Sequence, residues 1–219
     1  GKTTLLRCLM GLVQPDRGQV WLAGRRVDRQ PVAQRAKEIA FVPQWPSAML
    51  FAESVREELG LTLRNHGLEA TSAGEADRLL EELGLADVAE RYPRDLAAGE
   101  QQRVAVAAVL VGRPAVLLLD EPTLGLDALS QRRLGDLLEA QRARGVAIAI
   151  ATHDVEFAAA HADTAVILEG GKVAAYGPAA ETLFDHPPLR TSLQRLTGRP
   201  RPATVADLPP GKEDANAHD

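Results

Sequence analysis

Apolar positions along the chain follow two periods. Short uninterrupted apolar runs occupy residues 39–42, 115–119 and 146–151. They are too brief for ordinary helices and apolar on both faces, as strands in the middle of a helix-covered parallel sheet must be. Elsewhere the spacing is three to four. Leu5, Leu6, Leu9 and Leu12 predict a helix over residues 1–12, Leu79, Leu80 and Leu83 one over 73–83 that stops at Gly84, and Leu134, Leu137 and Leu138 one over 128–143. The arginines of the last segment form its solvated face. Alternation at residues 19–24 predicts a strand and hairpin, and strands over 165–168 and 172–175 flank Gly170-Gly171, a hairpin signal. Gly177-Pro178 opens a terminal helix running through Phe184.

Buried strands alternating with amphipathic helices define an α/β protein with a parallel sheet flanked by helices. The run at 115–119 is followed directly by Asp120 and Glu121, and open parallel sheets bind ligands outside the carboxyl ends of their strands. Two adjacent carboxylates at that edge can divide labour, one supporting a metal ion and the other orienting and deprotonating water. Taken alone, acid-acid-Pro after a strand is a solvated turn, so the assignment depends on what accompanies it.

Composition narrows the class. A chain of 219 residues, 45% hydrophobic and 25% charged, has the makeup of a soluble globular domain with a real core. Its net charge of −5 gives no electrostatic reason to expect nucleic acid as the main ligand. The single cysteine, Cys8, excludes an internal disulfide and reads as a small core residue beside Leu5, Leu6 and Leu9. With no apolar run long enough to span a bilayer, work at a membrane would need a partner to hold the chain there. His66, His161, His186 and His218 lack metal-ligand spacing.

The accompanying motifs are Gly1-Lys2-Thr3-Thr4, Pro43-Gln44 after the strand at 39–42, Leu96-Ala97-Ala98-Gly99-Glu100, Asp120-Glu121-Pro122, Leu126-Asp127, and Thr152-His153-Asp154. The first is the end of a phosphate-binding loop, G-x-x-x-x-G-K-[ST], running into a helix whose N-terminus favours anions. In this order and spacing the set closely resembles the ATP-binding cassette (ABC) ATPases. The resemblance implies a P-loop NTPase core, a small helical subdomain at about residues 48–110, and a short antiparallel β part. It also implies ATP and Mg2+ as cofactors. Lys2 would reach the β and γ phosphates, Thr4 the α or β phosphate, and Gly1 would belong to the loop. Thr3, Gln44 and Asp120 would serve the metal. Glu121 would act on water, Gln44 would sense the nucleotide and begin the segment that meets a membrane partner, and His153 would clasp the γ-phosphate.

Residues 96–100 stand where the family's L-S-G-G-Q signature belongs, a loop that closes over the nucleotide of the opposite cassette in a head-to-tail dimer. Leu96, Ala97, Ala98, Gly99 and Glu100 fit the position but depart from the pattern. Ala97 lacks the serine hydroxyl, removing a phosphate hydrogen bond and a helix cap; Ala98 replaces a glycine and obstructs close backbone approach. Glu100 for glutamine is common in the energy-coupling-factor branch of importers, which includes cobalt- and nickel-type systems. Leu50-Phe51 ahead of Ser54 resembles the same branch, and Ser54 with Glu57 makes a capping box for the helix that follows. Asp127 matches the D-loop at the dimer interface and also suits an N-cap.

These features predict one ABC ATPase domain over residues 1–196 and a disordered tail over 197–219, rich in Pro, Gly, Asp and Ala. The chain opens inside the phosphate-loop motif, so it is expected to be a fragment lacking the first loop glycine, the strand feeding it and an adenine-stacking aromatic, and impaired in ATP binding as it stands. The function implied is a peripheral ATPase at the cytoplasmic face of the membrane. It would pair with a second cassette, as homodimer, heterodimer or tandem copy, and dock on a transmembrane permease subunit to drive import of a vitamin or a transition-metal ion. Two alternatives stay open: a nucleotide-binding regulatory cassette with weak hydrolysis, and a soluble ABC protein outside transport. Gln44 and Leu96 lie 52 positions apart, too close for the long insertion of chromosome-maintenance and repair ATPases.

Overall fold

The computed structural model describes residues 1–68 and 73–198. The expected tail therefore lies outside the described residues, apart from Thr197 and Gly198. The chain divides into two compact units, Gly1–His153 and the residues from Asp154 onward.

The first unit is built on a three-stranded parallel sheet. Helix α1 (Lys2–Met10) is followed by a two-residue-strand hairpin, β1 (Trp21–Leu22) and β2 (Arg25–Arg26), then by α2 (Val32–Arg35) and β3 (Ile39–Val42). Helices α3 (Val55–His66), α4 (Ala73–Glu82) and α5 (Ala98–Leu110) pack on one another before the chain returns to the sheet as β4 (Val116–Asp120). Helix α6 (Ala128–Ala143) leads to β5 (Ala147–Ala151). The sheet order is β3-β4-β5, so the run expected at 115–119 is the central strand, with Leu117, Leu118 and Leu119 buried. Register pairs Val42 with Leu119 and Asp120 with Ala151, which brings the carboxyl ends of all three strands to one edge.

Helix α1 lies against all three strands and packs Leu6 and Met10 with Ile39, Leu118 and Ala151. This corrects the expected face: Leu5 and Leu12 are exposed. The helix stops at Met10 because Gly11 takes a left-handed φ of 88° and bonds back to the Arg7 and Cys8 carbonyls, so Leu12 is no longer helical. A second reason for glycine there is Arg35. Its fully buried guanidinium donates to the Cys8 and Leu9 carbonyls at 3.3 and 3.2 Å, and a Cβ on Gly11 would come within 2.7 Å of it. A cation thus meets the negative end of the helix dipole and anchors α1 from behind. Cys8 is only half-buried.

At the start of α3 the Ser54 hydroxyl accepts from the Glu57 N–H at 3.2 Å, the expected cap. The carboxylate that turns back to earlier backbone, however, is that of Glu58, which accepts from Phe51 and Ala52. The second unit contains α7 (Val155–His161), an antiparallel pair β6 (Thr164–Glu169) and β7 (Lys172–Pro178) turning through Gly170-Gly171, then α8 (Ala179–Phe184) and α9 (Ser192–Thr197). Pro178 is the N-cap of α8, as the Gly-Pro signal anticipates. Among the described residues, no helix is long and apolar enough to cross a membrane.

Candidate phosphate site

Strand β4 delivers Asp120 to the sheet edge almost fully buried, at 2% exposure. The Thr3 hydroxyl, from the first turn of α1, donates to Asp120 Oδ1 at 3.1 Å across 117 positions of sequence. The next residue, Glu121, leaves the strand with φ of +50° while its N–H still bonds the Ala151 carbonyl at 2.7 Å. A non-glycine residue in this region carries a strain of about 1–3 kcal/mol, and such residues cluster at functional sites. The kink turns the carboxylate toward an amine and an imidazole. Lys2 Nζ lies 3.5 Å from Glu121 Oε1, and His153 approaches Oε2 through both Nδ1, at 2.7 Å, and its backbone N–H, at 3.1 Å.

His153 stands two residues beyond the end of β5, and Gln44 two beyond the end of β3. Gln44 reaches the same edge through the sheet register, half-buried. Gly1 is the N-cap of α1 and its carbonyl accepts from Leu5; Thr4 is exposed on the first turn. The edge therefore carries a helix N-terminus with free N–H groups, an amine, a hydroxyl, two carboxylates and an imidazole. This donor set suits a polyphosphate and a hard cation. The paired oxygens of Thr3 and Asp120 fit Mg2+, whereas no cluster of three or more His, Cys, Asp or Glu able to hold a metal by itself occurs among the described residues.

The segment at 96–100 forms a second cluster. Leu96 is buried, Ala97 is the N-cap of α5 without a side-chain hydrogen bond, and Ala98 is the first helical residue. Glu100 supplies a partial substitute, since its carboxylate accepts from the Ala97 N–H at 3.0 Å. A Cβ on Gly99 would lie 3.3 Å from Leu126 Cδ2 and 3.6 Å from Ser130 Oγ, so this glycine allows the loop to sit against the first turn of α6. Asp127 caps that helix, accepting from Ser130 N–H at 2.7 Å, and this bond holds its carboxyl below the usual range. Arg103 Nη1 donates to Ser130 Oγ at 3.0 Å. Burial, followed by repulsion from Arg133, lowers the Arg103 pKa, while Glu100 and Asp127 oppose the shift. The sequence offered one signal for Arg103, a lone charge ahead of the apolar run Val104 to Leu110; its partner Ser130 is invisible without the fold.

A helix N-terminus and an acid pair meeting at the edge of a parallel sheet make the kind of site that suits a nucleotide's phosphates. The model of the ABC transporter family matches residues 1–124, and the chain belongs to that family. A putative ABC transporter ATP-binding protein of Streptomyces avermitilis is 40% identical over 210 residues, covering 95% of this chain but 36% of the relative, so the chain spans little more than a third of that protein's length. The cobalt import ATP-binding protein CbiO of Rhodobacter capsulatus is 36% identical over 229 residues, covering 99% of this chain and 82% of that one. Among solved structures, CbiO1 of Clostridium perfringens, part of the ABC transporter complex cbiONQ, superposes with a TM-score of 0.75 at 30% identity, covering 91% of this chain and 83% of its own.

Proposed function

We propose that the chain is the ATP-hydrolysing cassette of a membrane transporter, working as one of two paired cassettes at the cytoplasmic face and driving import of a vitamin or a transition-metal ion. The observation that carries this reading is the convergence of Lys2, Thr3, Asp120, Glu121 and His153 at one sheet edge. Import and the class of cargo draw support from the resemblance to the cobalt-import relative.

In this mechanism Lys2 and the N-terminal N–H groups of α1 neutralise phosphate charge, which is the main demand of phosphoryl transfer. Thr3 and Asp120, with Gln44, would hold Mg2+, which would supply further charge neutralisation on the phosphates. Glu121 orients the attacking water and takes its proton as the new P–O bond forms and the bond to the bridging oxygen breaks. His153 meets Glu121 through both Nδ1 and its backbone N–H; it fixes that carboxylate and clasps the γ-phosphate. Leu96, Ala97, Ala98, Gly99, Glu100 and Asp127 face the nucleotide of the opposite cassette, and binding closes the pair while hydrolysis reopens it. A membrane partner docking near residues 44–55 turns that motion into transport. In the full-length protein, Glu121→Gln is expected to reduce turnover by about 10²- to 10⁴-fold while ATP binding persists. Near-normal turnover would reject Glu121 as the base.

Ala97, at an N-cap without a side-chain bond, motivates a second reading, a regulatory cassette that binds nucleotide but supports little hydrolysis at its own signature. Ala97→Ser with Ala98→Gly should then raise dimer turnover. Unchanged turnover in the double variant would dismiss it.

A further inference from the structure

Arg35 is a charge held inside the protein with only part of its hydrogen-bonding capacity used. It is the last residue of α2 and 1% exposed, and its Nη1 alone meets acceptors, the Cys8 and Leu9 carbonyls at the end of α1. Nε and Nη2 are buried without a hydrogen-bond partner among the described residues. These two atoms form the side-on fork of a guanidinium, the edge with which Arg26 grips Asp28 at 2.8 Å through each nitrogen. A buried polar group without a partner lowers stability, and an apolar side chain of similar volume in its place is often neutral or stabilising. Packing therefore does not account for an arginine at this position.

What the side chain joins is specific. The Arg35 N–H bonds the Pro31 carbonyl at 3.2 Å, and its own carbonyl accepts from the Glu38 N–H at 2.9 Å, one residue before β3 begins. Nη1 thus links the end of α1 to the strand that leads to Gln44. Gly11 leaves room for this link, since a Cβ there would lie 2.7 Å from both Cζ and Nη1. At its opposite end α1 has no side-chain cap and no acid in the first turn, so the N–H groups beside Lys2 and Thr3 stay open to an anion. Only Leu6 and Met10 of its nine residues are buried, a narrow apolar grip. The Thr3–Asp120 bond fixes the front of the helix, and Arg35 fixes the back.

We propose that Arg35 is a positioning residue for nucleotide binding: at some expense of stability it fixes the tilt and depth of α1, and with them the places of Lys2 and Thr3, about 10 Å away along the helix. A misplacement of about 1 Å at a reacting centre can cost a hundredfold in rate, so a small slide of α1 suffices to matter. The proposal rests on the assignment of Lys2 and Thr3 to the phosphates above.

The test compares Arg35→Met and Arg35→Lys in the full-length protein, by calorimetric Tm without nucleotide and by the Kd of a fluorescent ATP analogue with Mg2+. Arg35→Met should keep its Tm within about 2 °C of wild type or raise it, yet bind the analogue at least about tenfold more weakly. Arg35→Lys should recover most of the affinity, because its ammonium can donate to the same two carbonyls and the guanidinium fork is unused here. Unchanged affinity in Arg35→Met, or no recovery in Arg35→Lys, overturns the proposal. So does an Arg35→Met variant that loses Tm and affinity together or fails to fold, for then Arg35 serves ordinary stability. Lys2→Ala is the reference. If it binds the analogue normally, the phosphate-site reading falls as well; if it loses binding while Arg35→Met does not, that reading stands and only the role of Arg35 is lost.

Discussion

Glu121 is the residue on which the proposed chemistry is concentrated. Its backbone is strained, its two carboxylate oxygens face different partners, Lys2 and His153, and its neighbour Asp120 is committed to Thr3. Adjacent acids of the same type thus acquire different tasks from geometry alone, one aimed at a hydroxyl on the phosphate helix and the other at an amine and an imidazole. The positions of these side chains were legible because they sit at strand ends and helix starts, where position follows from the local pattern. Buried charges were not. Arg35 and Glu58 are bound to backbone groups of distant or unpredictable segments, and a charged letter in a sequence carries no mark of burial. Asp28 is another such residue. Both Arg26 Nε and Nη2 donate to it at 2.8 Å, and this hydrogen bonding, assisted by the Val20 N–H, holds its carboxyl down to about 2. Because the folded value lies below the ordinary 3.8, its stabilising contribution is complete above that pH and is lost as pH falls through about 2. A carbon NMR titration of Asp28 paired with urea midpoints across that window checks this; titration at the ordinary carboxylate value would contradict it.

Elements with a single strong period were read to within a residue or two. Strand β3 and helix α6 match their expected limits, β4 shifts by one residue at both ends, and β5 starts one residue later. Helix α1 was less legible, since leucines at positions 5, 6, 9 and 12 satisfy helical spacing on more than one face, and the choice was made by the sheet and by Gly11. The capping box at Ser54 was half legible: the hydroxyl bond follows from local geometry, but the choice of Glu58 over Glu57 to turn back depends on the path of the preceding loop. Removing the legible half has a measurable cost. Ser54→Ala should destabilise the protein by about 1 kcal/mol, lowering Tm by about 2–4 °C for a chain of this size. A calorimetric scan showing no shift would mean that the hydroxyl contributes nothing to the start of α3.

On the scale of the whole molecule, a parallel sheet with three strand ends on one edge does the gathering. Residues from 2 to 153 meet there because β4 sits between β3 and β5, with α1 laid across them. The segment at 96–100 and Asp127 lie instead in a separate cluster joined through Arg103 and Ser130, which suits the proposal that they serve the nucleotide of a facing cassette. The most direct measurement is a crystal structure of the full-length protein with Mg2+ and a non-hydrolysable ATP analogue. The account predicts a triphosphate lying along the N-terminus of α1, with Lys2, Thr3, Gln44, Asp120, Glu121 and His153 all around its terminal phosphate and metal. A nucleotide bound elsewhere, with those side chains turned to different surfaces, would contradict it.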